Sequence, residues 1–299
     1  MALNFVKWNC MRKILLSLML LGMSSLVVSA GEFTGVAEYD GSSDFNQVKA
    51  GVSWKFALDW SVGVEGKWAD EDAFKKPIYE VKLPVAFETD LFSFYVTPFY
   101  YFKNKSDHNE YNAFGVSGKL IFTLQDDALN EEYSHVYLGA GFARQEGILW
   151  EEGADPSNKY YSQAAYTLGL HKNFFRAFSF EAIGTLFQYP DGITGVEAWR
   201  GILDQQDLVF LQSYDIVHEL PKYTAGGRLT RLWTDRHATI YLSYRFGEFY
   251  TADPEHSFVL GNSFVLADRV QCDLAYNHLR TVHNKNKRDI FHAQLKFLF

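Results

Sequence analysis

The chain has 299 residues, 47% of them hydrophobic and 17% aromatic, yet its mean hydropathy is only −0.17 and its formal net charge is −8. Such acidity argues against a nucleic-acid partner, which would require a basic face. The two cysteines are Cys10 and Cys272, and only Cys272 lies beyond the leader described next, so strand pairing and burial rather than disulfides must hold the fold.

Lys7, Arg12 and Lys13 precede an apolar run from Ile14 to Val28, and Val28-Ser29-Ala30 supplies the small residues that a signal peptidase needs before Gly31. This pattern predicts a signal peptide over residues 1–30 and Sec export. Met11 begins the leader so naturally that residues 1–10 read as a start-site extension. Cys10 has no lipobox, because Lys7-Trp8-Asn9 is the wrong sequence before a lipidated cysteine. The mature domain is then 31–299, with 25 Lys plus Arg against 36 Asp plus Glu, a balance of −11. No other stretch approaches the ~20 apolar residues of a spanning helix.

From residue 32 onward the hydrophobicity alternates with period two. Residues 47–57 show the type, with Val48, Ala50, Val52, Trp54 and Phe56 on one face and Gln47, Lys49, Gly51, Ser53 and Lys55 on the other. Alternation this regular means that each segment has one apolar solvent and one watery one. Similar segments are expected at about 32–40, 60–69, 78–88, 92–103, 111–123, 133–144, 159–171, 177–188, 223–233, 238–248, 257–267, 270–280 and 289–299. Each is near the ~9 to 11 residues that cross a bilayer at a tilt. Short connections at 58–59, 89–91, 125–132, 172–176, 234–237 and 268–269 alternate with longer polar ones at 41–46, 69–77, 104–110, 145–158, 189–222, 249–256 and 281–288.

That rhythm predicts an all-β fold, a closed antiparallel transmembrane β-barrel of about fourteen strands, with twelve or sixteen as alternatives. Short periplasmic turns, long extracellular loops and periplasmic termini follow. A soluble β-sandwich needs neither such long strands nor the loop alternation. Phe56, Trp60, Phe87, Phe92, Phe122, Phe174, Phe175, Trp233 and Phe299 collect at the short turns, as an aromatic girdle at one membrane interface would.

The row opposite the apolar one decides whether water crosses the barrel. Its expected pore-lining residues are Lys49, Lys55, Glu65, Lys67, Glu80, Lys82, Lys119, Glu181, Arg228, Arg245, Asp273 and Lys296, with Glu88 also on that row and many Gly, Ser and Thr between. Charges and small residues line water, and fourteen strands lie between filled barrels and the ~16 to 18-stranded porins. A slight excess of base suggests weak preference for anionic or sugar-like solutes; pairing of opposite charges across strands is the competing reading. In the long 189–222 connection Val196, Trp199, Ile202 and Leu203 fall at helical spacing, and Trp199, Arg200, Asp204 and Asp207 are candidates for a constriction if it folds inward. An extracellular extension and an extra strand pair are its other readings.

No H-E-x-x-H, C-x-x-C or G-x-S-x-G occurs, and His135, His171, His237 and His283 lack metal-ligand spacing. His256-Ser257, and Asp273 with His278, are the nearest approach to the catalytic pairs of barrel enzymes that act on lipid. No enzyme, metal or cofactor is therefore expected. Arg231 and Asn262 fall in the lipid row, which suggests a bulge or a position near the interface.

The chain ends with Phe291, Ala293, Leu295, Phe297 and Phe299 alternating with His292, Gln294 and Lys296, which looks like the closing strand of an outer-membrane barrel. With the loop rhythm, this strand resembles monomeric outer-membrane porins of the outer-membrane protein G type, and secondarily the oligogalacturonate-type porins. The resemblance implies a monomer in the outer membrane of a Gram-negative-type bacterium. It also implies lipid contact, assembly machinery that reads the Phe299 strand, and cofactor-free diffusion of small hydrophilic solutes. A non-transporting anchor or adhesin is the alternative function.

Overall fold

The computed structural model describes residues 32–43, 45–71, 77–105, 109–127, 132–149, 157–174, 177–193, 220–233, 238–250, 252–267, 269–282 and 287–298. Period-two alternation is realised as strands throughout: β1 (Glu32–Gly41), β2 (Phe45–Lys55), β3 (Trp60–Glu71), β4 (Ile78–Lys82), β5 (Val85–Glu88), β6 (Phe92–Lys105), β7 (Asn109–Asp127), β8 (Glu132–Leu149), β9 (Ser157–Phe174), β10 (Phe178–Gln188), β11 (Pro221–Trp233), β12 (Ala238–Phe249), β13 (Glu255–Ala267), β14 (Val270–Thr281) and β15 (Lys287–Leu298). Neighbours pair antiparallel, and β1 pairs with β15 from Thr34↔Leu298 to Gly41↔Phe291, which closes the sheet on itself.

β4 and β5 both lie between β3 and β6, so they are two halves of one wall strand and the barrel has fourteen positions. The interruption at Leu83-Pro84 follows from proline chemistry. The Gly63 N–H still donates to Pro84 O at 2.8 Å, and the Leu83 N–H to Pro98 O at 3.0 Å. Pro84 and Pro98 have no N–H to return, so the ladder loses donors there without losing its path.

Register fixes the two faces. Val52, Val64, Phe94, Phe142, Leu168, Leu242, Leu260 and Phe291 all lie exposed on the outer face, Phe291 at 62%. A continuous apolar belt of that kind on every strand is lipid-facing surface. At its lower edge Trp60 packs on Phe87 at 4.9 Å and Phe87 on Phe92 at 5.7 Å, part of the expected girdle; Phe175 and Phe299 lie outside the described residues. Fourteen strands ~4.8 Å apart and tilted ~40° give a backbone radius of about 14 Å, more than a lysine side chain can span.

Two expectations change and one holds. Strands β7, β8 and β9 have 19, 18 and 18 residues, longer than a bilayer requires. β6 to β9 therefore run into the expected loops at 104–110 and 145–158, through Lys105, from Asn109, through Leu149 and from Ser157, because backbone pairing continues past the membrane where no lipid enforces alternation. Asn262 keeps its lipid-facing place, paired with Leu274 and Ile240, and the only register shift in β13 lies at Val265/Ala267. Arg231 sits near the lower end of β11 with its guanidinium 4.8 Å from the Trp233 ring and 5.8 Å from that of Phe178. A basic residue costs about 0–1 kcal/mol at that level, against ~2–4 at the midplane.

Candidate functional site

All twelve expected lining residues fall on the row that faces away from the belt. Alternation puts them there, and closure brings rows from distant strands together. Lys67 bonds Glu80 at 2.6 Å, Glu80 meets Lys82 at 3.6 Å, and Lys67 also donates to the Tyr101 hydroxyl at 3.1 Å. These three charged groups are almost fully buried in the wall.

A second network crosses the closure. Lys49 lies between Glu38 at 3.9 Å and Glu65 at 3.8 Å, and Gln294 donates to Glu38 at 2.9 Å. His292 Nδ1 donates to Asp40 at 2.7 Å, with its Nε2 3.8 Å from Asp273, while Gln47 donates to Asp40 at 3.0 Å. The Tyr241 hydroxyl donates to Asp273 at 2.7 Å, and Arg228 stacks 3.7 Å over the Tyr241 ring. Donor atoms of Glu38, Asp40 and His292 come within 4.8 Å of one another, a set whose chemistry suits a divalent cation. Each already has a protein partner, so the arrangement stands on its own as a wall network.

On the opposite side His135 and His171 stack at 4.7 Å with planes 7° apart. His171 faces Glu181 at 3.2 Å and Asn173 at 2.8 Å, and Lys119 lies 4.9 Å over the Tyr95 ring. Tyr95 in turn donates to Glu88. Arg245 meets Glu255 at 3.7 Å.

Alternation had already placed Lys49, Asp273 and His292 on the inner row. Glu38 and Asp40 were not singled out, although their parity in segment 32–40 points inward once the register is fixed; Glu255 fell in the expected 249–256 connection and is instead the first residue of β13. They bring acid and base on the wall close to parity. The histidine pair was missed because its partners are cross-strand, His135↔His171, not close in sequence. Neither catalytic pairing forms: Ser257 points inward and donates to Asn277 at 2.7 Å while His256 faces outward, and Asp273 and His278 lie on opposite faces. His237 and His283 lie outside the described residues, as do Trp199, Arg200, Asp204 and Asp207.

Three large inner aromatics lie along the wall rather than across the lumen. Tyr137 and Tyr241 are 0% and 1% exposed, each covering its cross-strand glycine, Gly169 and Gly261, where a Cβ would collide with the ring. Phe99 covers Gly115 in the same way.

In the outer half of the barrel Phe99, Ala113, Ala143, Tyr161, Ala165, Phe187 and Leu220 form an inward apolar cluster, joined by Tyr101, Tyr189 and Ile193. Both described ends of the 189–222 connection thus bend onto the inner wall. Tyr189 donates to Pro221 O at 2.9 Å and accepts from Gln163 at 3.3 Å. Burial raises the Tyr189 phenol above its ordinary value, so it stays a neutral donor.

No protein-family model matches the chain, and no curated protein sequence matches it. Among solved structures, CdiB from Acinetobacter baumannii superposes with a TM-score of 0.53 at 8% identity, covering 91% of this chain and 60% of that one. The Pseudomonas putida toluene transporter TodX gives 0.47 at 10% identity over 92% of this chain and 90% of that one. The KdgM porin gives 0.42 at 9% identity over 89% and 99%. At 8% identity the likeness to CdiB is one of fold alone, a closed antiparallel outer-membrane-type barrel.

Proposed function

We propose that the protein is an outer-membrane channel through which small hydrophilic solutes diffuse passively. The observation that carries this reading is the inner wall itself: charged, amide and small residues on every strand, with the Tyr137, Tyr241 and Phe99 rings folded over glycines inside a barrel of about 14 Å radius. The buried amide nitrogens of Gln145 and Asn277 have no protein hydrogen-bond partner among the described residues. Buried polar groups of this kind are met by water.

Ion pairing across neighbouring strands supports weak selectivity, and Lys55 and Lys296, which have no ion-pair partner among the described residues, favour anionic or sugar-like solutes. In this reading residues 1–30 direct Sec export, the strand ending at Phe299 engages the assembly machinery, and the barrel works as a monomer without a cofactor. The apolar cluster around Tyr161 and Phe187 supports a second reading, a non-transporting anchor, because it narrows the outer half.

Single-channel recording of the refolded mature protein in planar bilayers separates the two. Discrete, salt-dependent conductance is the expected result. A barrel that is folded by heat-modifiable gel migration yet electrically silent would leave the anchor.

A further inference from the structure

The lipid-facing side of the barrel is not uniform. At the extracellular ends of β13, β14 and β15, His256, Arg280 and Lys287 are direct cross-strand partners on the outer face, His256↔Arg280↔Lys287. Two strand intervals separate the first from the third, about 10 Å. One step below, His278 donates through Nδ1 to Asp289 at 2.7 Å, and Tyr276 donates to the same carboxylate oxygen at 2.6 Å. Asp289 is thus engaged by its own strand neighbours, and the other ring nitrogen of His278 is left for an external acceptor.

Below that step, the outer face carries a groove of about 640 Å³ lined by Ile240, Leu260, Leu274, Tyr276, Phe291 and Ala293, among others. Level matters here. From Phe297, on the outer row near the lower girdle, to Lys287 the strand climbs ten residues, which at a ~40° tilt is a rise of about 26 Å. That is the height of the apolar band of an outer-membrane barrel, ~25 Å, so the basic row stands at the outer headgroup level and the groove among acyl chains.

Charge singles the row out. Elsewhere on the upper outer face, Arg144 is paired with Glu146 at 2.7 Å and Lys222 with Glu248 at 3.4 Å. Arg280 and Lys287 have no carboxylate within ion-pair distance among the described residues. Asp289, which feels the charge of Lys287, already accepts from Tyr276 and His278 and lowers the local positive charge without cancelling it.

We propose that this surface is a binding site for a phosphorylated glycolipid of the outer leaflet, its phosphates on His256, Arg280 and Lys287 and one acyl chain in the groove beneath. The 10 Å breadth of the row suits two phosphates set apart on a sugar headgroup better than the single phosphodiester of a glycerophospholipid. The proposal rests on the outer-membrane reading but not on conduction, since none of these residues faces the lumen.

The test is native mass spectrometry of the full mature protein in detergent, titrated separately with a bisphosphorylated multi-acyl glycolipid, its dephosphorylated form and phosphatidylglycerol. Selective retention of the bisphosphorylated lipid is expected. Arg280→Gln combined with Lys287→Gln should bind it about 30-fold more weakly, since each of the two cations lost contributes about 1 kcal/mol at a lipid headgroup and about 1.4 kcal/mol is tenfold. Leu274→Trp, which fills the groove, should weaken both phosphorylated and dephosphorylated forms. Equal retention of all three lipids, or affinity unchanged in the double variant, overturns the proposal. Heat-modifiable migration confirms that each variant is folded, and conductance recorded on the same samples tests the channel reading separately: a conducting protein that does not discriminate among lipids sinks only the lipid site.

Discussion

Tyr137 and Tyr241 show how a single residue type shapes the lumen. Each needs a partner with no side chain at the directly opposed position, and glycine supplies it at Gly169 and Gly261. Gly169→Val would force the Tyr137 ring off the wall, at a cost of about 1–3 kcal/mol as overpacking or by swinging the ring into the water path. Its expected signature is lower conductance or a lower unfolding midpoint, and Tyr137→Ala on the same background should restore whichever was lost; no rescue would mean that the two residues are not coupled. Glu80 makes a different case. It joins Lys67 and Lys82 in a buried triad, so Glu80→Gln removes the carboxylate from two buried ion pairs, at about 3–5 kcal/mol in a buried setting. Urea unfolding followed by tryptophan fluorescence reads that loss, and Lys67→Met added to Glu80→Gln should recover part of it.

Among elements, the split between β4 and β5 is the irregularity with the clearest chemical cause. Replacing Pro84 by Val gives Gly63 O a donor worth about 0.5–1.5 kcal/mol, while the unfolded chain regains the freedom that proline removed, about 0.4–1 kcal/mol. These nearly cancel, so stability is a poor readout and hydrogen exchange a good one: the new amide at position 84 should be protected like its neighbours in β4, and fast exchange there would mean that the strand breaks for another reason. The same scale explains what could be read in advance. Within the membrane, lipid on one side and water on the other force alternation, so segments such as 60–69 and 270–280 were legible almost to the residue. Beyond the membrane that constraint ends. The upper parts of β8 and β9 beyond Arg144, where Glu146 takes an outward position, looked like loop although their backbones still pair. The Pro84 interruption was hidden for the opposite reason, because its side-chain pattern alternates without a break.

In the whole molecule, closure makes neighbours of residues that sequence keeps far apart. Asp40 and His292 are 252 positions apart yet meet at 2.7 Å, so facing was legible from parity while partnership was not. The same closure governs selectivity. Lys49, Lys67, Lys82 and Arg245 each have a carboxylate within 4.0 Å on their own or an adjacent strand, so their fields largely cancel a short distance into the lumen. Lys55 and Lys296 differ: both lie on the inner row toward the periplasmic ends of β2 and β15, and neither has an ion-pair partner among the described residues. Their field should therefore set what small preference the pore has. Screening makes this testable, since the Debye length is ~10 Å at 0.1 M salt, comparable with the barrel radius, and ~3 Å at 1 M, where it hugs the wall. The wild type should show a slight anion-side reversal potential in a KCl gradient centred near 0.1 M. Lys55→Glu with Lys296→Glu should move it to the cation side, and the displacement should shrink toward zero near 1 M while conductance persists. An unmoved reversal potential at the lower salt would show that these two lysines do not border the conduction path, and would shift the source of any selectivity to the outer half of the barrel, where Tyr161, Phe187 and Leu220 narrow the wall.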